Sequence, residues 1–172
     1  MIKKARMSDI PQLVALDRKA YGRYGADKTY FVKKFSSKNT KILKVEDQGK
    51  VVGFTVFELL KKNEIPSDFS NLKIDEPIKG MWAHIIAFTT KTNYADIESD
   101  SNLVKAIERS AKLMGCEIFC VPLSINHPFI KHDVFGFWEK NGYKNVGTID
   151  WLASPTEKIK CYFYRKILET IG

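Results

Sequence analysis

The chain has 172 residues, of which 44% are hydrophobic and 28% charged, with a formal net charge of +8. These proportions suit one globular domain spanning residues 1–172 and exclude a disordered chain. No apolar run approaches the roughly 20 residues of a membrane-spanning helix. The basic residues 1–6 lead into an aspartate-bearing segment, so no signal peptide and a cytoplasmic location are expected.

Residues 1–50 hold thirteen Lys/Arg against five Asp/Glu, so the basic excess lies there. Such a region attracts an anionic cofactor, an acidic peptide or nucleic acid, or is simply a solvated lysine-rich surface. Its only arginines are Arg6, Arg18 and Arg23, and base readout often relies on arginine, so nucleic acid is not the expected partner. Cys116, Cys120 and Cys161 are an odd set with no disulfide framework. Cys116 and Cys120, four apart in a strand pattern, are expected on one face as reduced core thiols.

In chain order, residues 2–6 read as a strand. Ser8 is placed as the cap of a helix with Pro11 in its first turn, ending near Tyr21 and Gly22. A second helix is predicted over 27–35. Strands at 41–46 and 51–60 flank a turn at 47–50. Residues 61–79, with Pro66 and Pro77, lack periodicity and read as a loop. A buried strand at 80–90 follows. Alternation puts Met81, Ala83, Ile85 and Ala87 on one face and Trp82, His84, Ile86 and Phe88 on the other. Residues 91–100 connect it to a helix at 101–114, with Leu103, Ile107, Ala111 and Met114 on one side and Gly115 as its stop. A strand at 117–123, a helix at 133–141 ended by Gly142, and strands at 144–151 and 159–167 complete a mixed α/β sheet.

Three segments carry a family resemblance: residues 2–6 with 8–13, residues 47–54, and Phe137-Trp138-Glu139-Lys140-Asn141-Gly142-Tyr143. Together they resemble the opening, the hairpin and the closing motif of the GNAT superfamily of N-acetyltransferases. The resemblance implies a single-domain GNAT-like fold: a mixed, mostly antiparallel sheet flanked by helices, with splayed central strands. It implies acetyl-CoA as cosubstrate and a small-molecule or peptide amine as acceptor. The thioester would lie in the notch between the strands at 80–90 and 117–123, with Ile86, Ala87 and Phe88 holding the pantetheine. Asn126 resembles an asparagine that contacts the cofactor. Trp138 stands beside it, where many members have a tyrosine that serves as acid; an indole N–H cannot serve that way.

The glycine-rich phosphate loop of the family is degenerate here. Glu98 and Asp100 occupy its glycine positions and Ala95 its arginine or glutamine position; a shift of two puts Asn93, Asp96 and Glu98 there instead. Acids at a helix N-terminus favour the helix dipole. The alternative is a shifted loop in which Lys91, Thr92, Asn93 and Tyr94 hold the phosphates. His84 is the candidate general base, since histidine titrates near neutral pH and takes a proton from an amine directly or through water. It could equally be a hydrogen-bonded core histidine. His127, His132 and Asp133 lack further ligands at metal-binding spacing, so no metal is expected. The expected function is an N-acetyltransferase with altered or weakened CoA binding. The alternative is a non-catalytic GNAT-like module that binds a protein or nucleic-acid partner.

Overall fold

The structure, a computed structural model, describes residues 1–65, 69, 72, 80–154 and 156–168. Most of the predicted 61–79 loop lies outside the described residues. Seven strands form one sheet: β1 (Ile2–Lys4), β2 (Thr40–Asp47), β3 (Lys50–Leu60), β4 (Met81–Thr90), β5 (Cys116–Ser124), β6 (Lys144–Ser154) and β7 (Glu157–Ile167). Their order is β1-β2-β3-β4-β5-β7-β6. Only β4 and β5 run parallel; the other neighbours are antiparallel. The helices are α1 (Ile10–Tyr21), α2 (Lys28–Ser36), α3 (Ile97–Leu113) and α4 (Val134–Lys140). None of the described helices is long and apolar enough to cross a membrane.

The β2–β3 turn is tighter than the four residues predicted. Asp47 still pairs with Lys50, and Gln48 and Gly49 take φ of 50° and 75°. Two left-handed residues make the two-residue hairpin whose twist matches its strands. Ser8 is not the cap of α1. It lies in a 3-10 turn over Met7–Asp9, and Asp9 precedes α1. The Asp9 carboxylate accepts from the Arg6 N–H and pairs with Lys44 at 2.9 Å. Lys44 also reaches Glu46, so part of the N-terminal basic excess is internal ion pairing rather than free surface.

Three apolar clusters build the core. One face of the sheet packs Phe57, Ala83, Ile85, Phe88, Phe119 and Val121 against Leu103 and Ile107 of α3 and Phe137 and Trp138 of α4. On the other face, α1 and α2 place Leu13 and Phe31 over Phe54 and Val56. Beyond them on that face lie Trp82, Ile118, Cys120, Cys161, Phe163 and Phe69. Fully burying side chains of this size stabilises the fold by about 1.5–3 kcal/mol each.

Two bulges correct the alternation predicted for the central strands. Val56 pairs with Ala87 but Phe57 pairs with Ile85, leaving Ile86 as the extra residue. The face therefore switches at Ile86: Phe88 joins Ala83 and Ile85, while Trp82 lies on the opposite side. Met81 pairs with Cys116 and Trp82 with Ile118, which skips Glu117. Cys116 and Cys120 consequently enter clusters on opposite faces, both as buried free thiols.

Asp17 ties α1 to the sheet. Its carboxylate accepts from the Ala26 N–H at 2.6 Å and the Thr89 hydroxyl at 2.8 Å. Asp17→Ala leaves both donors without that acceptor and should lower stability by about 1.5–3 kcal/mol, the worth of hydrogen bonds to a charged group. The check is a lower urea midpoint at unchanged slope.

Candidate active site

β4 and β5 pair over four positions, ending at His84 with Cys120. Beyond that point each keeps its outer neighbour. β4 stays on β3 as far as Thr90, and β5 stays on β7 as far as Ser124. The two strands therefore part, and a wedge opens between residues 85–90 and 121–124.

Aromatic side chains fill the wedge. Tyr94, 3% exposed, stacks on Phe88 with centroids 5.6 Å apart and meets Phe137 edge-on at 5.0 Å. His127 and Phe129, from the turn after β5, pack on Tyr94 and on Tyr21 of α1. The Tyr21 hydroxyl donates to the Phe88 carbonyl at 3.5 Å, on the strand facing the wedge. Burial pushes the Tyr94 hydroxyl well above its ordinary range, so it stays neutral.

The 91–96 connection is held from within. The predicted helix at 101–114 begins earlier, at Ile97, so Glu98 and Asp100 lie in its first turn rather than in the loop. Asp96 caps it by accepting from the Ser99 N–H. Glu98 is exposed and Asp100 is 2% exposed. The Asp100 carboxylate accepts from the Thr92 hydroxyl at 2.8 and 2.9 Å and from the Tyr94 N–H at 2.9 Å. Burial raises its pKa, and the bonds from Thr92 and Tyr94 pull against that rise.

Asn93 and Tyr94 take φ of 48° and 71°, conformations that glycine adopts without strain and tyrosine rarely does. Two contacts enforce them: Asp100 on the Tyr94 amide, and His132, whose Nδ1 lies 2.7 Å from the Asn93 carbonyl. A carboxylate thus meets a backbone amide and a hydroxyl just before a helix N-terminus, where an anionic ligand would otherwise be favoured. A small cavity bordered by Thr90, Thr92 and Asp100 measures about 30 Å³, room for a water molecule.

His84 lies at the point of the wedge. It is 0% exposed, and among the described residues neither ring nitrogen has a hydrogen-bond partner. Its Nδ1 is 3.6 Å from Glu58 Oε2, an ion-pair distance too long for a hydrogen bond. Phe69 and Trp151 meet the ring edge-on at 5.3 and 5.0 Å. Glu58 also pairs with Lys34 at 3.1 Å. His84 first and Lys34 second hold the Glu58 carboxyl down at about 2, against burial.

The other residues singled out from sequence disperse. Ile86 and Ala87 pack towards α1 and α2, and the Ala87 carbonyl accepts from Thr55. Asn126 is exposed in the turn after β5. Trp138 is fully buried against Phe88 and Tyr143, with its indole N–H unpartnered among the described residues. His127 and His132 serve the wedge: the His127 Nδ1 accepts from the Phe129 N–H at 3.1 Å. Among the described residues no three of His, Cys, Asp and Glu gather as a metal cluster. Sequence reasoning missed Tyr21, Phe129 and Glu58. For Glu58 no local signal existed, because its place beside His84 rests on the register between β3 and β4.

No family model and no curated protein matches the chain by sequence. Solved structures do match. Arabidopsis thaliana NAA60 in complex with a bisubstrate analogue superposes with a TM-score of 0.74 at 11% identity, over 98% of this chain and 99% of that one. The Escherichia coli ribosomal-protein-S18-alanine N-acetyltransferase gives 0.70 at 9%, over 100% and 96%. The PaiA N-acetyltransferase of Thermoplasma acidophilum, in complex with coenzyme A, gives 0.64 at 15%, over 98% of both chains. The chain has the fold of the GNAT superfamily of N-acetyltransferases.

Burial lowers the His127 pKa from 6.5 to about 4. The unfolded chain therefore binds a proton that the folded chain excludes between these values. Stability from this group is complete above pH 6.5 and is lost as pH falls towards 4, by about 3 kcal/mol. Denaturation midpoints across this window should fall steeply for the wild type and less for His127→Gln.

Proposed function

We propose that the chain is an N-acyltransferase of the GNAT type, acting on a small-molecule or peptide amine in the cytoplasm, whose donor site is closed at rest by its own side chains. The observation that carries this reading is His84 at the parting of β4 and β5, buried, without hydrogen bonds among the described residues, and 3.6 Å from an ionised Glu58. An amine attacks an acyl carbon only after losing a proton. Glu58 draws the cationic amine, and His84 takes the proton in a site shielded from water by Phe69 and Trp151. Acetyl-CoA would supply the acetyl group: the amine nitrogen would bond to the acyl carbon as the carbon–sulfur bond breaks, and the released CoA thiolate would take a proton from solvent as it leaves. The point of the wedge fits such a donor, with β4 unpaired to β5 beyond His84. The phosphate end, as folded, does not fit, because Asp100 holds the Tyr94 amide and Tyr94 fills the wedge. Donor binding must displace both and is correspondingly weak.

The filled wedge favours a second reading, a non-catalytic GNAT-fold module. One set of measurements separates the two. By calorimetry, Asp100→Gly should tighten acetyl-CoA binding about tenfold, or ~1.4 kcal/mol, while the exposed Glu98→Gly leaves it unchanged. His84→Gln should fold normally, bind the donor like the wild type, and turn over about 10²–10⁴ times more slowly. Wild-type turnover by His84→Gln removes His84 from the mechanism. Absence of acetyl-CoA binding by both the wild type and Asp100→Gly, with no turnover of other acyl-CoA donors, favours the second reading.

A further inference from the structure

We propose that the cross-strand row Glu58, His84, Cys120 and Arg165 is an acceptor-recognition site for an amine that also carries a carboxylate, of the size of a short peptide. The proposal rests on the acyltransferase reading for the fate of the amine, but not for its binding.

The row follows from register. Glu58 pairs with His84, His84 with Cys120, and Cys120 with Arg165. Directly paired residues share a face, so four polar or ionisable side chains line up across β3, β4, β5 and β7. They cross a face otherwise built of Trp82, Ile118 and Phe163.

Among the described residues, neither ring nitrogen of His84 has a hydrogen-bond partner, and one guanidinium nitrogen of Arg165, Nη1, is buried without one. A buried N–H of a permanently charged guanidinium is costly unless an acceptor meets it. Its neighbour Cys120 is no counter-charge, because burial holds that thiol well above its usual range and its S–H points to the Ala83 carbonyl. The one carboxylate of the row, Glu58, is three strands away, roughly 14 Å at about 4.8 Å per strand.

Opposite charges at the two ends of a row ask for the complementary pair on a ligand: an ammonium at Glu58 and a carboxylate at Arg165. A planar guanidinium matches a carboxylate in two parallel hydrogen bonds. The Glu and Arg side chains shorten the span. Two to three extended residues, at about 3.3–3.6 Å each, then bridge the rest. Phe69 and Trp151, edge-on to His84, are the apolar walls. The amine end would lie beside His84, where the proton must be removed.

The test is a titration without acetyl-CoA, using triglycine, triglycine amide and free L-lysine. Triglycine should bind at least ten times more tightly than its amide, and Arg165→Gln should bring the acid to the level of the amide. Lysine binding as well as triglycine assigns the site to free amino acids; weaker lysine binding assigns it to peptides. Equal binding of acid and amide to the wild type, or binding of none of the three at millimolar concentration, overturns the proposal. The wild-type ratio decides even if Arg165→Gln does not fold. A clear acid preference without turnover sinks the acyltransferase reading alone. Turnover of amines with no acid preference sinks the recognition row alone.

Discussion

Two parallel strands that pair and then part create a problem of backbone chemistry as well as of volume. Beyond His84 and Cys120, the facing edges of β4 and β5 lose each other's hydrogen bonds, and the space between them must be filled. This chain fills it from three directions: Tyr21 from α1, Tyr94 from the loop before α3, and His127 with Phe129 from the turn after β5. The Asp100 carboxylate fixes the central member, Tyr94, in an unfavourable backbone conformation. The wedge is thus closed by a few specific bonds rather than by continuous pairing.

That arrangement gives the acids of the loop a sharper meaning than their sign alone. Asp96 caps α3, Glu98 faces solvent and Asp100 turns inward. Of the three, Asp100 alone takes the Thr92 hydroxyl and the Tyr94 amide, while Asp96 takes the Ser99 amide. A ligand that required an open wedge would bind with its intrinsic affinity reduced by the fraction of molecules that are open.

The order of strands and helices was legible from apolar periodicity, glycine stops and the hairpin turn, because these are local signals. Faces were less legible. A single extra residue at Ile86, and another at Glu117, moved Phe88 and Cys116 across the sheet, and no composition signal marks a bulge. The start of α3 was misplaced because Asp, Glu and Ser in its first turn read as loop, although acids favour that turn. The place of His84 on β4 was legible from the strand pattern. Its partner Glu58 and the alignment with Arg165 depend on register between strands distant in sequence. Tyr94 was named as a phosphate ligand and instead packs inside, since its orientation hangs on a bond to a residue six positions away.

The account stands or falls on whether donor binding opens the Tyr94–Asp100 contact. Amide hydrogen exchange of Tyr94, with and without saturating acetyl-CoA, tests this directly. The Tyr94 amide should be protected in the free protein and lose protection as the donor binds, while the β4 amides paired with β3 keep theirs. Binding of acetyl-CoA with Tyr94 protection unchanged would contradict the closed-site account.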